Sequence, residues 1–194
     1  MEKTQTSSGT ALLVMDILPN LLVRLGDNKP LLASLVRAIA AARAAGIPVI
    51  YAGVAFRKGF PEISPDNKSF SAVRQNNAAL QGLEEPYSIH PDVAPQPGDI
   101  LVTKRRVSAF TGSDLEVVLR SMQIRSLVLT GYATSGVVLS TLREAADKDF
   151  GLTVLSDGCA DTDAEVHQVL LTKVFTRQAS VQTVQEWMTS LGQT

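Results

Sequence analysis

Six short apolar runs alternate along the chain with longer stretches in which apolar residues return every three or four positions. The run from Thr10 to Met15 is continuous and too short for a helix, the pattern of a strand buried on both faces. From Pro30 to Ala45 the residues Leu31, Leu35, Val36 and Ile39 fall on one helical stripe, with Pro30 in the first turn and Gly46 at the stop. Ile47 to Val54 reads as a second strand. From Asp99 the alternation resumes: strand Ile100 to Lys104, helix Ser113 to Met122, strand Ser126 to Thr130, helix Thr134 to Lys148, strand Leu152 to Ser156, helix Asp163 to Thr176, a short strand Ala179 to Gln182 and a last helix through Trp187. Strands that alternate with helices imply a sheet covered on both faces by right-handed crossovers. The predicted fold is a doubly wound α/β three-layer sandwich with a six-stranded, mostly parallel sheet.

Residues 56 to 98 break this rhythm, being rich in Pro, Asn, Ser and Gly with only a weak helical patch from Ser71 to Leu80. An irregular segment of that length is usually functional or poorly ordered, which makes it a candidate lid or pocket wall, with Phe56 and Arg57 at its start. A length of 194 residues with 45% hydrophobic content suits one domain over 10–194, preceded by a polar leader, 1–9, expected to be disordered.

The 18 basic and 19 acidic residues are spread along the chain and leave a net charge of −1. No polybasic patch asks for nucleic acid or an anionic membrane, so the expected partner is a small molecule or another protein. Cys159 is the only cysteine, which excludes an intrachain disulfide and makes a reducing compartment, the cytoplasm, the economical expectation. The N-terminal residues lack the apolar core of a secretory signal, and no apolar run approaches the roughly 18 residues that span a bilayer.

Doubly wound folds bind ligands beyond the carboxyl ends of their strands. Three of these ends carry ionisable residues: Asp16, Lys104 and Asp157. Asp16 reads either as a turn or cap residue, or as a carboxylate pressed against the apolar run before it and in need of a cation. Lys104 leaves an equally apolar strand and can supply that cation. A buried Asp–Lys pair is a structural element in some proteins and the acid and base of an active site in others. Arg105 and Arg106 are expected to be solvated or to line a pocket for an acidic ligand, and Asp157, followed by Gly158, to be a turn or cap residue. His90 and His167 have no metal-ligand spacing, so no metal is expected, and no glycine pattern of a nucleotide site occurs, so no cofactor is expected either.

The fourth strand end carries Thr130-Gly131-Tyr132-Ala133-Thr134-Ser135-Gly136-Val137-Val138-Leu139-Ser140-Thr141-Leu142-Arg143-Glu144-Ala145. With Leu12-Leu13-Val14-Met15-Asp16, the stretch Lys104 to Phe110, Thr111-Gly112-Ser113-Asp114-Leu115 and Ser156-Asp157, it resembles the isochorismatase-like, or cysteine hydrolase, superfamily over nearly the whole chain. In that family's amidases an Asp, a Lys and a Cys form a triad in which the thiolate attacks a carbonyl and backbone N–H groups hold the oxyanion. The resemblance places Asp16 and Lys104 on the first two positions. The cysteine position, three residues after Thr134, is Val137, which has neither lone pair nor proton.

A second departure is Leu18, where the family commonly has Gln in a D-x-Q motif. Ser135 would point elsewhere on a helix turning about 100° per residue, and Cys159 reads as a small buried residue. The family's vinyl-ether-cleaving members are understood to use the Asp as a general acid. The resemblance therefore implies a hydrolase without a covalent cysteine intermediate, acting on a small carboxylated or carbonyl-bearing compound. Asp16 would be acid or base, Lys104 its electrostatic partner, and Tyr132, Ala133, Thr134, Ser135, Gly136, Val137 and Phe56 the substrate- and oxyanion-binding wall. It also implies a non-proline cis peptide at Tyr132–Ala133 and assembly into a homodimer or larger homo-oligomer. The alternative is a noncatalytic ligand-binding or assembly protein that retained the fold.

Overall fold

The structure, a computed structural model, describes residues 9–75 and 83–193. The expected leader lies, apart from Gly9, outside the described residues. Six strands, β1 (Thr10–Met15), β2 (Val49–Val54), β3 (Ile100–Lys104), β4 (Ser126–Tyr132), β5 (Gly151–Ala160) and β6 (Ser180–Gln182), form one sheet. The order is β3-β2-β1-β4-β5-β6, and every neighbouring pair is parallel. The direction of winding reverses between β1 and β4, so the topological switch point falls at the carboxyl ends of those two strands, beside Asp16 and Tyr132.

The unbroken apolar run of β1 is sorted by the two-residue period of a strand. Leu12 and Val14 face one layer, which contains Leu31, Leu35 and Ile39 of α2 (Lys29–Ala44) and Trp187 of α7 (Val184–Ser190). Ala11, Leu13 and Met15 face the other, with Leu115 and Leu119 of α4 (Leu115–Ser121), Leu142 of α5 (Leu139–Asp147) and Phe175, which lies beyond α6 (Ala164–Val169). Each of these β1 side chains is fully buried. The sequence pattern and the three-layer fold agree because a strand in the middle of a parallel sheet has no polar face to show.

Four local differences from the expected elements bear on the site. A short helix, α1 (Pro19–Leu22), continues as a 3-10 turn to Leu25 and brings Arg24 toward the switch point. The helix expected from Thr134 opens instead as a π-turn, Thr134–Val138, before α5. β5 does not stop at Ser156: Leu129 pairs with Val154 but Gly131 with Cys159, so a bulge around Asp157-Gly158 is absorbed and the strand runs on to Ala160. The helical patch appears as α3 (Lys68–Gln75), and the rest of the expected patch, to residue 80, reaches into 76–82, outside the described residues.

The described parts of the 56–98 segment are packed. Phe56 bridges to Glu84, and its ring meets Phe60 and Phe70 edge-on at centroid distances of 6.1 and 5.5 Å. Arg105 and Arg106 hold this layer to the sheet and are therefore neither solvated nor free to line a pocket for an acidic ligand. Arg105 binds Glu85 and the Ala55 carbonyl, and Arg106 donates to the Glu62 carbonyl at 3.0 Å. Tyr87 covers β2 so closely that a Cβ on Gly53 would lie 2.4 Å from its ring.

Candidate active site

Asp16 leaves β1 in the left-handed region, φ 55°, which Asp tolerates better than most residues. Its main-chain N–H still donates to the Ala52 carbonyl at 2.8 Å, while its side-chain Oδ1 accepts from the Val54 N–H at 2.9 Å. Lys104 comes from β3, two strands away, and its Nζ lies 2.8 Å from Asp16 Oδ2. The same ammonium donates to the Arg106 carbonyl at 3.0 Å. Asp16 is 6% exposed and Lys104 1%, so the pair that the strand ends suggested is formed and is nearly dry. Burial pushes the Asp16 carboxyl above its ordinary range, and the Lys104 charge and the Val54 hydrogen bond offset that only in part.

Beside the pair, β4 approaches β1 so tightly at its end that a Cβ on Gly131 would lie 2.4 Å from the Met15 carbonyl, and φ there is 147°. The next peptide, Tyr132–Ala133, is cis. Val138 N–H then reaches back five residues to the Ala133 carbonyl at 3.3 Å, the mark of a π-turn, a device frequent at functional sites.

A cleft of about 330 Å³ opens over these elements. Asp16, Lys104, Tyr132, Ala133, Ser135, Gly136 and Val137 all line it, together with apolar Leu21, Val54, Phe70 and Val107 and the charged Arg24 and Asp161. Val137, at the position the resemblance gives to the nucleophile, is a buried side chain, 2% exposed. Two expected wall residues do not line the cleft. Phe56 is fully buried in the aromatic cluster, and Phe70, packed on it, takes the place at the wall. Thr134 is also fully buried, its hydroxyl paired with His167 Nδ1 at 2.8 Å.

The turn's amides are arranged differently from an open anion cradle. Ser135 N–H donates to Asp161 Oδ2 at 2.7 Å, and Gly136 N–H donates to the Ala133 carbonyl at 3.0 Å. Burial tends to raise the Asp161 carboxyl, but the hydrogen bonds from Ser135, together with those from the Asp163 and Thr162 N–H groups, outweigh it and hold the group below the usual carboxylate range. Asp161 was not singled out from the sequence because β5 was read as ending at Ser156. The signal was the strand-end rule itself, since Asp161 directly follows Ala160.

The other candidates have structural partners. Asp157 accepts from the Val184 N–H at 2.7 Å, capping α7. His90 Nδ1 accepts from the Asp92 N–H at 3.3 Å at the start of a 3-10 turn. Cys159 is buried against the Leu129 carbonyl, and burial pushes its thiol up to about 12, far from the thiolate a nucleophile needs. Among the described residues no three His, Cys, Asp or Glu side chains converge as a metal site, and no helix is long and apolar enough to cross a membrane.

A parallel sheet wound outward from a central switch point, with an acid–base pair buried beneath a cleft there, defines a doubly wound α/β protein with a site for a small molecule. A family model described as the isochorismatase domain matches residues 10–186, and the chain belongs to the isochorismatase family. The ureidoacrylate amidohydrolase RutB of Pseudomonas syringae pv. syringae (strain B728a) is 37% identical over 150 residues, which cover 72% of this chain and 61% of that protein. The RutB of Methylobacterium radiotolerans is 32% identical over 175 residues, covering 84% and 68%. The chain thus spans about three-fifths of the length of the first of these relatives. An isochorismatase family protein from Burkholderia thailandensis superposes with a TM-score of 0.79 at 28% identity, covering 95% of this chain and 96% of that one. A cysteine hydrolase from Pseudomonas syringae pv. phaseolicola 1448A reaches 0.85 over 94% and 92% of the two chains, and at 22% identity it speaks for the fold alone.

Proposed function

We propose that this protein is a hydrolase of a small molecule that works without a covalent cysteine intermediate, with Asp16 as general acid and base and Lys104 as its electrostatic partner. The observation that carries this reading is a carboxyl group whose pKa is raised by burial, lining the cleft at the switch point where the thiol position holds Val137. A raised carboxyl is the form of acid that can hold a proton near neutral pH and give it to a substrate. The proton passes from Asp16 to the substrate's leaving oxygen or nitrogen. The carboxylate left behind is stabilised by Lys104 at 2.8 Å and the Val54 N–H at 2.9 Å. Water adds to the activated carbon, the bond from that carbon to the protonated oxygen or nitrogen breaks and releases the leaving group as an alcohol or amine, and the proton that the water sheds restores Asp16.

The amidohydrolase relatives extend the substrate classes worth testing from vinyl ethers to amides and ureas. A screen over those three classes should find turnover that Asp16→Asn abolishes and Cys159→Ser leaves intact. Turnover that survives Asp16→Asn overturns the assignment, and fluorophosphonate labelling that Ser135→Ala removes would transfer it to a serine mechanism. A second reading, a noncatalytic binding protein, is favoured by one observation: both Asp16 carboxylate oxygens and the Ser135 amide already have partners. Ligands that raise the melting temperature without being turned over would support it.

A further inference from the structure

We propose that the Tyr132 hydroxyl is the cleft's buried hydrogen-bond donor to the bound molecule, and that it takes a neutral carbonyl oxygen, as of a ketone, amide or urea. This rests on the reading of the cleft as the ligand site but not on turnover. The polar groups of the cleft divide by whether the protein already uses them. Asp16 Oδ1 accepts from the Val54 N–H, and Oδ2 meets Lys104 Nζ, which also donates to the Arg106 carbonyl. The Ser135 and Gly136 N–H groups donate to Asp161 and to the Ala133 carbonyl, and Asp161 accepts further from Thr162 and Asp163. Arg24 and Thr162 are exposed residues.

Tyr132 differs from all of these. It lines the cleft and is only 6% exposed, yet among the described residues its hydroxyl has no hydrogen-bond partner. A buried phenol ordinarily finds one, and an unmet donor costs free energy. The one described side-chain oxygen that is both sealed off and unpartnered is Glu62 Oε2, so the Tyr132 oxygen is reached from outside, and the cleft is what reaches it. The ring is held in the apolar layer of Leu12, Val14 and Leu22, with Ala133 and Ala160 packed against that layer, which leaves the polar tip to the ligand. Burial and the Asp161 charge raise the phenol above its ordinary range while Arg24 opposes them, so the group keeps its proton at neutral pH and donates. The opposite charges of Arg24 and Asp161 leave this wall balanced, and a balanced wall with a buried neutral donor suits an uncharged acceptor. Leu21, Val54, Phe70 and Val107 offer apolar contact to the rest of the molecule.

The test compares acetophenone with α-methylstyrene, two neutral molecules of nearly one shape that differ by a carbonyl oxygen against a methylene, and neither can be hydrolysed. Dissociation constants are read by NMR titration of the wild-type protein and of Tyr132→Phe, which keeps the ring and removes the hydroxyl. Acetophenone should bind the variant about five- to tenfold more weakly, about 1 to 1.4 kcal/mol. Binding of α-methylstyrene should change by less than about twofold. The ligand-free variant should melt within about 2 °C of the wild type, because it loses no internal hydrogen bond. An equal loss for both probes, no loss for acetophenone, failure of acetophenone to bind the wild type at millimolar concentration, or a larger drop in melting temperature overturns the proposal. Because neither probe is a substrate, an absence of turnover in the substrate screen leaves this result standing, and a failed contrast leaves the Asp16 assignment to its own assay.

Discussion

Removing the ammonium of Lys104 should unbalance the fold in a way that pH can report. Lys104→Met keeps most of the apolar stem and deletes the charge that lies 2.8 Å from Asp16, with the two side chains 2% and 8% exposed. Asp16 then keeps only the Val54 N–H at 2.9 Å, and breaking a buried pair from one side costs about 3 to 5 kcal/mol. The carboxyl can escape much of that cost by taking up a proton. In the wild type, burial already raises Asp16 above the ordinary carboxylate range, and Lys104 supplies the largest opposing influence. A group raised in the folded state contributes stability that is complete below its unfolded pKa and is lost as pH rises through its folded pKa. Without Lys104 the folded pKa moves further up, so the penalty should be small near about pH 5 and approach the full 3 to 5 kcal/mol near about pH 8.

Urea unfolding of both proteins at the two pH values measures the difference, and titrations common to both cancel. Asp16→Asn combined with Lys104→Met leaves a neutral pair of similar volume and should recover most of the loss at the higher pH. Equal penalties at both pH values, or a double variant no better than Lys104→Met alone, would refute the claim that an uncompensated buried charge is the cause.

Gly53→Ala should destabilise the protein by about 1 to 3 kcal/mol, because its Cβ would meet the Tyr87 ring at 2.4 Å, and adding Tyr87→Ala should remove the clash component, as a double-mutant cycle in urea would show. Cys159 should be inert to Ellman's reagent in the folded protein and titrate fully in denaturant, since its thiol is buried and pushed up to about 12. Val137→Cys should add one site that iodoacetamide modifies in the folded state much faster than Cys159, read by mass spectrometry after digestion. Equal, slow labelling of both would mean that Val137 does not face the cleft.

Much of this site was legible in the sequence because it lies at strand ends, and strand ends were marked by simple transitions. Asp16 and Lys104 each terminate an unbroken apolar run, and a nearly dry pair follows from where those two runs stop. Phe56 was misplaced for the complementary reason. An aromatic residue just beyond a strand can face a cleft or a core, and the choice was made by Phe60 and Phe70, partners that no local pattern ties to it. Asp157-Gly158 has the composition of a turn, and only the pairing of Gly131 with Cys159 shows that the sheet absorbs it as a bulge. That four-residue extension of β5, from Ser156 to Ala160, hid Asp161. The fold was readable from periodicity, whereas Asp161 depended on a register that periodicity does not encode.

Val137 and Asp161 line the same cleft. A backbone oxyanion site is useful when a nucleophile adds to a carbonyl and negative charge develops on its oxygen. With Val137 where the family resemblance places the nucleophile, that charge does not arise through a thiolate. Asp161 accepts from the Ser135 N–H at 2.7 Å, which gives that amide a partner within the protein. Asp16 and Lys104 stay in contact beside this turn. In the proposed mechanism the chemistry then rests on proton donation from Asp16, and an acid that protonates a leaving group needs no oxyanion hole opposite it. Restoring the thiol alone, as in Val137→Cys, should therefore give a reactive cysteine without an efficient amidase, because the Ser135 N–H and Gly136 N–H of the turn already have acceptors within the protein.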